Sequence, residues 1–198
     1  MSFQTIVDIQ QSMTVNNRRT VGEQVSRSGQ VRVAQYLTAV PWVFTVTPHD
    51  YLYYPQVRSI IQSIDNKDRQ LPETISFANT NLSWFTAYQG DLSSVQAAAL
   101  ELAAVPAANA QTISIGNLPG VSASAYVFKA GDFIQFGNSS GTKYVYKVTE
   151  DVLRGSGSTV SVNINRPVIG TPSTGTLTGV GSSVYFYLVA ETCPTYTL

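Results

Sequence analysis

The chain has 198 residues, enough for one domain or two small ones packed together, and its 12 Lys and Arg balance 12 Asp and Glu. Charged residues make up only 12% of it, about half the usual ~25%. This balance argues against direct nucleic-acid binding, the single cysteine (Cys193) excludes an internal disulfide, and no apolar run reaches the length of a membrane span.

In chain order, Phe3 to Ile9 reads as a strand, followed by a polar turn at Asn16, Asn17, Arg18 and Arg19. From Gln24 to Leu37, Val31 and Val33 alternate with Arg32, Ala34 and Tyr36, and Gly29 marks a bulge or tight turn. Arg18, Arg19, Arg27 and Arg32 make this stretch mildly basic. Pro41 to Thr47, PWVFTVT, reads as a second strong strand, expected to pair with the preceding one as a hairpin.

The period then changes. Tyr54, Val57, Ile60/Ile61 and Ile64 recur every three to four residues, which predicts a helix over about 50–66. Asp50 is its expected N-cap, with Pro55 in the first turn. Glu73 to Phe77 returns to strand. Asn79 to Gly90 is an aromatic connector whose Trp84, Phe85 and Tyr88 serve either a core or a subunit interface. Val95 to Val105 favours helix by propensity, yet its β-rich neighbours point to a strand ended by Pro106.

A C-terminal module is expected to begin near Thr112, dividing the chain into 1–108 and 109–198. In it, Val127, Phe128, Phe133, Ile134 and Phe136 form one apolar run. Tyr144, Tyr146 and Val148 share one face of the next strand, and Val160, Val162 and Ile164 share one face of a third. Residues 170–183, almost wholly Gly, Thr, Ser and Pro, read as a flexible arm. Val184 to Ala190 is apolar on both faces and so is expected to be sandwiched or packed on the first module.

Chemistry is sparse. The only histidine, His49, has no nucleophile motif beside it. Asp65, Asp68 and Glu73 lack the glycine and spacing of a calcium loop. Asp132 follows Gly131 at a strand start, where Asp usually stabilises a turn, and Glu150 and Asp151 read as a solvated corner beside Arg154. These residues predict no catalytic role, no metal and no cofactor.

The segments VSRSGQVRVAQYLTAVPWVFTVTP and YPQVRSIIQSIDNKDR resemble structural proteins of tailed-phage tails and baseplates of the tube-initiator, distal-tail or hub-ring type. The likeness rests on Ser26 to Gly29, Pro41 to Thr47, Arg58 and Asp68–Arg69, with GDFIQF, YKVTEDV and VNINRPV resembling the small β-domains of such proteins. The resemblance implies a mainly β (α+β) fold: an antiparallel sheet or barrel of tail-tube type with one packed helix, plus a small C-terminal antiparallel β-domain. It implies a homo-oligomeric, hexameric ring in the virion tail, made in the host cytoplasm and contacting other tail and baseplate proteins. DNA would pass through its channel without sequence recognition, and no membrane is involved.

Candidate subunit-interface residues are Arg27, Arg32, Val33, Trp42, Arg58, Arg69, Trp84, Tyr88, Tyr144 and Asn163. A head–tail connector or capsid-decorating protein is an alternative. From another class, a carbohydrate-binding β-module would stack sugars on Trp42, Trp84 and the tyrosines.

Overall fold

A computed structural model describes residues 2–17, 21–25, 31–35, 41–49, 52–67, 71–107, 109–137 and 141–191. Among these the fold is mainly β, with three α-helices, several small antiparallel sheets and no closed barrel.

The chain opens with a helix, α1 (Ser2–Asp8), where a strand was expected. Phe3, Ile6 and Val7 sit at i, i+3 and i+4, and burying that stripe outweighs the β preference of Ile and Val. Next come β1 (Gln10–Asn16), β2 (Val21–Val25), β3 (Val31–Gln35) and β4 (Val43–Pro48). The expected hairpin partner of β4 is corrected: β4 pairs with β1, setting Met13 opposite Val46 and Val15 opposite Phe44, while β2 and β3 pair with each other.

Helix α2 (Tyr54–Asp65) matches the predicted period. Its N-cap residue is Tyr53, in extended conformation, with a proline in the first turn; Asp50 lies outside the described residues. After β5 (Glu73–Ile75), a 3-10 turn (Ser83–Phe85) carries the aromatic connector. The expected strand over Val95 to Val105 is instead α3 (Ser94–Ala98) followed by the short β6 (Glu101–Leu102). A reciprocal capping box nucleates α3: Gln96 N–H donates to Ser93 Oγ at 3.3 Å, and Ser93 N–H donates to Gln96 Oε1 at 3.0 Å.

The remaining strands are β7 (Thr112–Gly116), β8 (Tyr126–Phe128), β9 (Phe133–Gly137), β10 (Lys143–Lys147), β11 (Val152–Leu153), β12 (Val160–Asn163), β13 (Gly175–Thr176), β14 (Gly179–Val180) and β15 (Phe186–Leu188). Their sheets run β12-β7-β6-β13, β10-β9-β14 and β11-β8, and β15 pairs with β5. The apolar run read as one strand is two, β8 and β9, in different sheets and separated by Gly131 at φ +104°. The stretch 170–183 is no free arm: β13 joins β6, β14 joins β9, and Leu177 and Val180 are buried.

Two apolar clusters result. The larger gathers Leu92, Leu100 and Leu102 with Ile115, Phe128, Ile134, Phe136, Tyr146, Val148, Val162 and Ile164. The second joins Val7, Ile75 and Phe77 to Phe133, Val145, Val184 and Phe186, so β15 packs on the N-terminal half as expected. Between them stand β9 and β10. Successive strand residues face opposite sides, so Ile134, Phe136 and Tyr146 enter the first cluster while Phe133 and Val145 enter the second. Each such apolar side chain contributes about 1.5–3 kcal/mol by leaving water.

Candidate interaction surface

The N-terminal half leaves an apolar groove open. Helix α1 is tied to β5 by its side chains: Gln4 Nε2 donates to the Ser76 carbonyl at 3.0 Å, and Ser76 N–H donates to Gln4 Oε1 at 2.9 Å. The amide thus acts as one more peptide on that edge. Phe3 N–H donates to Glu73 at 2.7 Å, and Lys67 pairs with the same carboxylate. With α1 fixed there, α1, α2, β4 and the chain after β15 wall a space of about 870 Å³. Trp42, Phe44 and Ile75 line it, together with Val57, Ile60 and Ile61 of α2. Those three α2 residues are only half-buried, whereas Ile64 on the same stripe is fully buried. The amphipathic face of α2 is therefore only partly covered.

Trp42 belongs to this wall. Its ring lies 5.7 Å from Phe133 and 5.5 Å from Phe186, and its Nε1 donates to the Val145 carbonyl at 3.0 Å. Arg58 is exposed on α2. Arg32 and Val33 lie on β3, paired with Gln24 and Glu23 of β2. Arg27 and Arg69 lie outside the described residues.

No protein-family model matches the chain, and no curated protein is significantly similar to it.

The other candidates scatter. Trp84 is 70% exposed on its 3-10 turn, against the edge of Phe85. Tyr88, by contrast, is a packing residue: its hydroxyl donates to the Val127 carbonyl, and burial pushes its pKa up to about 12. Tyr144 packs half-buried against the larger cluster. Asn163 sits in a polar recess with Gln111, Thr149 and Asn165, where it accepts from Thr112 Oγ1 and donates to Glu150, both at 2.6 Å. The candidates Trp42, Trp84, Tyr88, Tyr144 and Asn163 thus lie in separate surroundings. The groove is not evident from composition, because Phe3 to Ile9 has the β-branched content of a strand; the i, i+3, i+4 spacing of Phe3, Ile6 and Val7 is the signal for the helix that walls it.

Asp132 and Asp151 are occupied by backbone, whereas Glu150 is held by the Asn163 side chain. Asp132, fully buried, accepts from Gln89 N–H at 2.8 Å and from Lys129 N–H at 2.9 Å, as expected for a turn-stabilising Asp. Burial raises its pKa despite those bonds. Asp151 accepts from Ala130 N–H at 2.9 Å. Arg154 does not join the acidic corner; it donates to the carbonyls of Pro119, Gly155 and Gly157. His49 is exposed and lines the groove. Among the described residues no group of three His, Cys, Asp or Glu side chains could hold a metal ion, and no helix is long and apolar enough to cross a membrane.

Proposed function

We propose that this chain is a structural component of a phage tail, forming a homo-oligomeric ring at the tube–baseplate junction through which the DNA channel continues. The observation that carries the reading is the pairing of unfinished surfaces in the N-terminal half. Two two-stranded sheets, β1–β4 and β2–β3, have no third strand among the described residues, and the apolar groove lies beside β4. Unpaired strand edges and uncovered apolar faces are liabilities in a monomer and joining surfaces in a closed ring. The near absence of net charge leaves little repulsion between copies. The tail-tube architecture, the hexameric symmetry and the station along the tail come from the sequence resemblance and are part of the proposal.

A carbohydrate-binding role is less well supported. Sugar stacking needs accessible rings side by side, yet Trp42 is engaged by Phe133 and Phe186 while Trp84 is exposed on a separate turn.

Light scattering of the purified chain across a concentration series tests the proposal. A discrete multimeric mass is expected; a mass fixed at that of one chain at high concentration contradicts it.

A further inference from the structure

Strand β15 leaves an aromatic pair on the surface. Val184 and Phe186 enter the second cluster, so strand alternation turns Tyr185, Tyr187 and Val189 to the other face. Tyr187 is 46% exposed and Val189 50% exposed, while Tyr185 is half-buried. The two tyrosine rings lie 5.5 Å apart at 69°, edge to face. They meet the requirement for accessible, adjacent rings that Trp42 and Trp84 do not.

The pair is held in place from below. Gln135, fully buried in β9, donates from Nε2 to the Tyr185 carbonyl at 2.7 Å and accepts the Tyr185 N–H at 3.4 Å. Phe186, Tyr187 and Leu188 pair with β5. With that backbone engaged, a ligand at the pair is met by side chains rather than by strand addition.

Lys143 brings a charge to the same place. It stands in β10 opposite Gly137, which sets no side chain beside it, and its Nζ lies 5.3 Å from the Tyr185 ring centroid. The Tyr185 side chain holds the Lys143 pKa above its ordinary value. Among the described residues no carboxylate pairs with this ammonium. Its charge is therefore left to a ligand or to solvent.

The surface thus offers aromatic faces, two phenolic hydroxyls and one ammonium. A pyranose ring turns C–H groups to an aromatic face and hydroxyls to phenols, and a carboxylate on that ring complements the lysine. Single-stranded nucleic acid also stacks on such rings, but it needs a row of cations along its backbone. Among the described residues Lys143 is the one cation against these two rings, which suits a ligand with one charge per ring. We propose that Tyr185, Tyr187 and Lys143 form a subsite for an acidic saccharide, with a hexuronate ring stacked on Tyr187 and its carboxylate on Lys143. The subsite goes beyond the ring-forming reading and does not depend on it.

Isothermal titration of the full chain at low salt tests it, with trigalacturonate, a neutral galactose trisaccharide and an oligothymidylate as probes. Trigalacturonate is expected to bind saturably and the neutral sugar about tenfold more weakly. Tyr187→Ala should weaken trigalacturonate by about tenfold. Lys143→Met should abolish the preference for the acidic sugar. Circular dichroism verifies that both surface variants fold, and Lys129→Met, which alters the lysine over Tyr126 instead, should bind as the parent does. Absence of saturable binding at millimolar trigalacturonate overturns the proposal. So does binding that neither Tyr187→Ala nor Lys143→Met changes, or an oligothymidylate that binds more tightly than the saccharide.

Discussion

Trp42 and Arg166 donate to one acceptor, the carbonyl of Val145, from Nε1 at 3.0 Å and from a terminal guanidinium nitrogen at 2.7 Å. Val145 lies in β10, the edge of its sheet, so this carbonyl would otherwise be an open ladder position. Asn165 covers the same strand at Lys147, accepting from its N–H and donating to its carbonyl, both at 2.9 Å. The edge of β10 is thus blunted from within the chain, whereas β1–β4 and β2–β3 each have no third strand among the described residues.

Because the acceptor is shared, losing one donor still leaves the carbonyl satisfied. Trp42→Phe is expected to cost about 1 kcal/mol. Combining it with Arg166→Met should cost more than the sum of the single changes, since only the double variant leaves the carbonyl without either donor. Urea denaturation of the four proteins measures the coupling; strict additivity would contradict the shared-acceptor account.

Gly181 has φ +59°, and a Cβ there would lie 2.6 Å from Tyr88 Cβ and 3.0 Å from Tyr88 N. Both the left-handed backbone and the contact penalise a side chain. Gly181→Ala is expected to destabilise the fold by about 2–4 kcal/mol in chemical denaturation. At Gly120 a Cβ would meet nothing within 4 Å and φ is not positive, so alanine should be accepted there with little change.

Asp132→Ala removes the acceptor for two backbone N–H groups, those of Gln89 and Lys129. Leaving them without a partner in a buried turn is expected to cost about 2–4 kcal/mol. Asp132→Asn keeps one acceptor oxygen and removes a buried charge, so it should cost less. Thermal melts of both variants at neutral pH decide the order.

Tyr88 supplies a pH prediction. Burial raises its pKa from 10 to about 12, so the folded state holds the phenolic proton more tightly than the unfolded chain does. The stability this contributes is complete below pH 10 and is lost as pH rises from about 10 to 12. Tyr146 is raised by burial as well, which adds to the alkaline fall. Stability curves of Tyr88→Phe should therefore decline less steeply over that window than those of the parent. Identical slopes would place the alkaline loss elsewhere.

Local pattern was legible wherever one face of an element meets one core. The α2 stripe is such a case, and so are Val160, Val162 and Ile164, all of which pack in or against the larger cluster. Pattern failed where local and tertiary preferences compete. Phe3 to Ile9 contains β-branched residues, but its seven helical residues dock through Gln4 on Ser76, a partner more than seventy positions away that no local window contains. The Ser93–Gln96 capping box was readable and outweighs the β-rich surroundings of α3. Residues 170–183 have the composition of a linker, yet their glycines supply turns, with Gly170 at φ +70° and Gly175 at φ +126°, that bring Leu177 and Val180 into the core. The groove was hidden for the same reason as α1, since half its lining depends on which remote segments meet.

The edge strands offer a direct disruption. Val33→Pro removes a backbone donor from β3, whose one strand partner among the described residues is β2. Ring formation is expected to be lost while thermal unfolding of the two core clusters is retained. Assembly that survives the substitution would move the joining surface away from this hairpin.

Electron microscopy of the purified chain tests the central claim most directly. Negative-stain class averages at high protein concentration should show closed rings of uniform diameter with a central opening. A field of single, separate particles of one chain's mass would contradict the account.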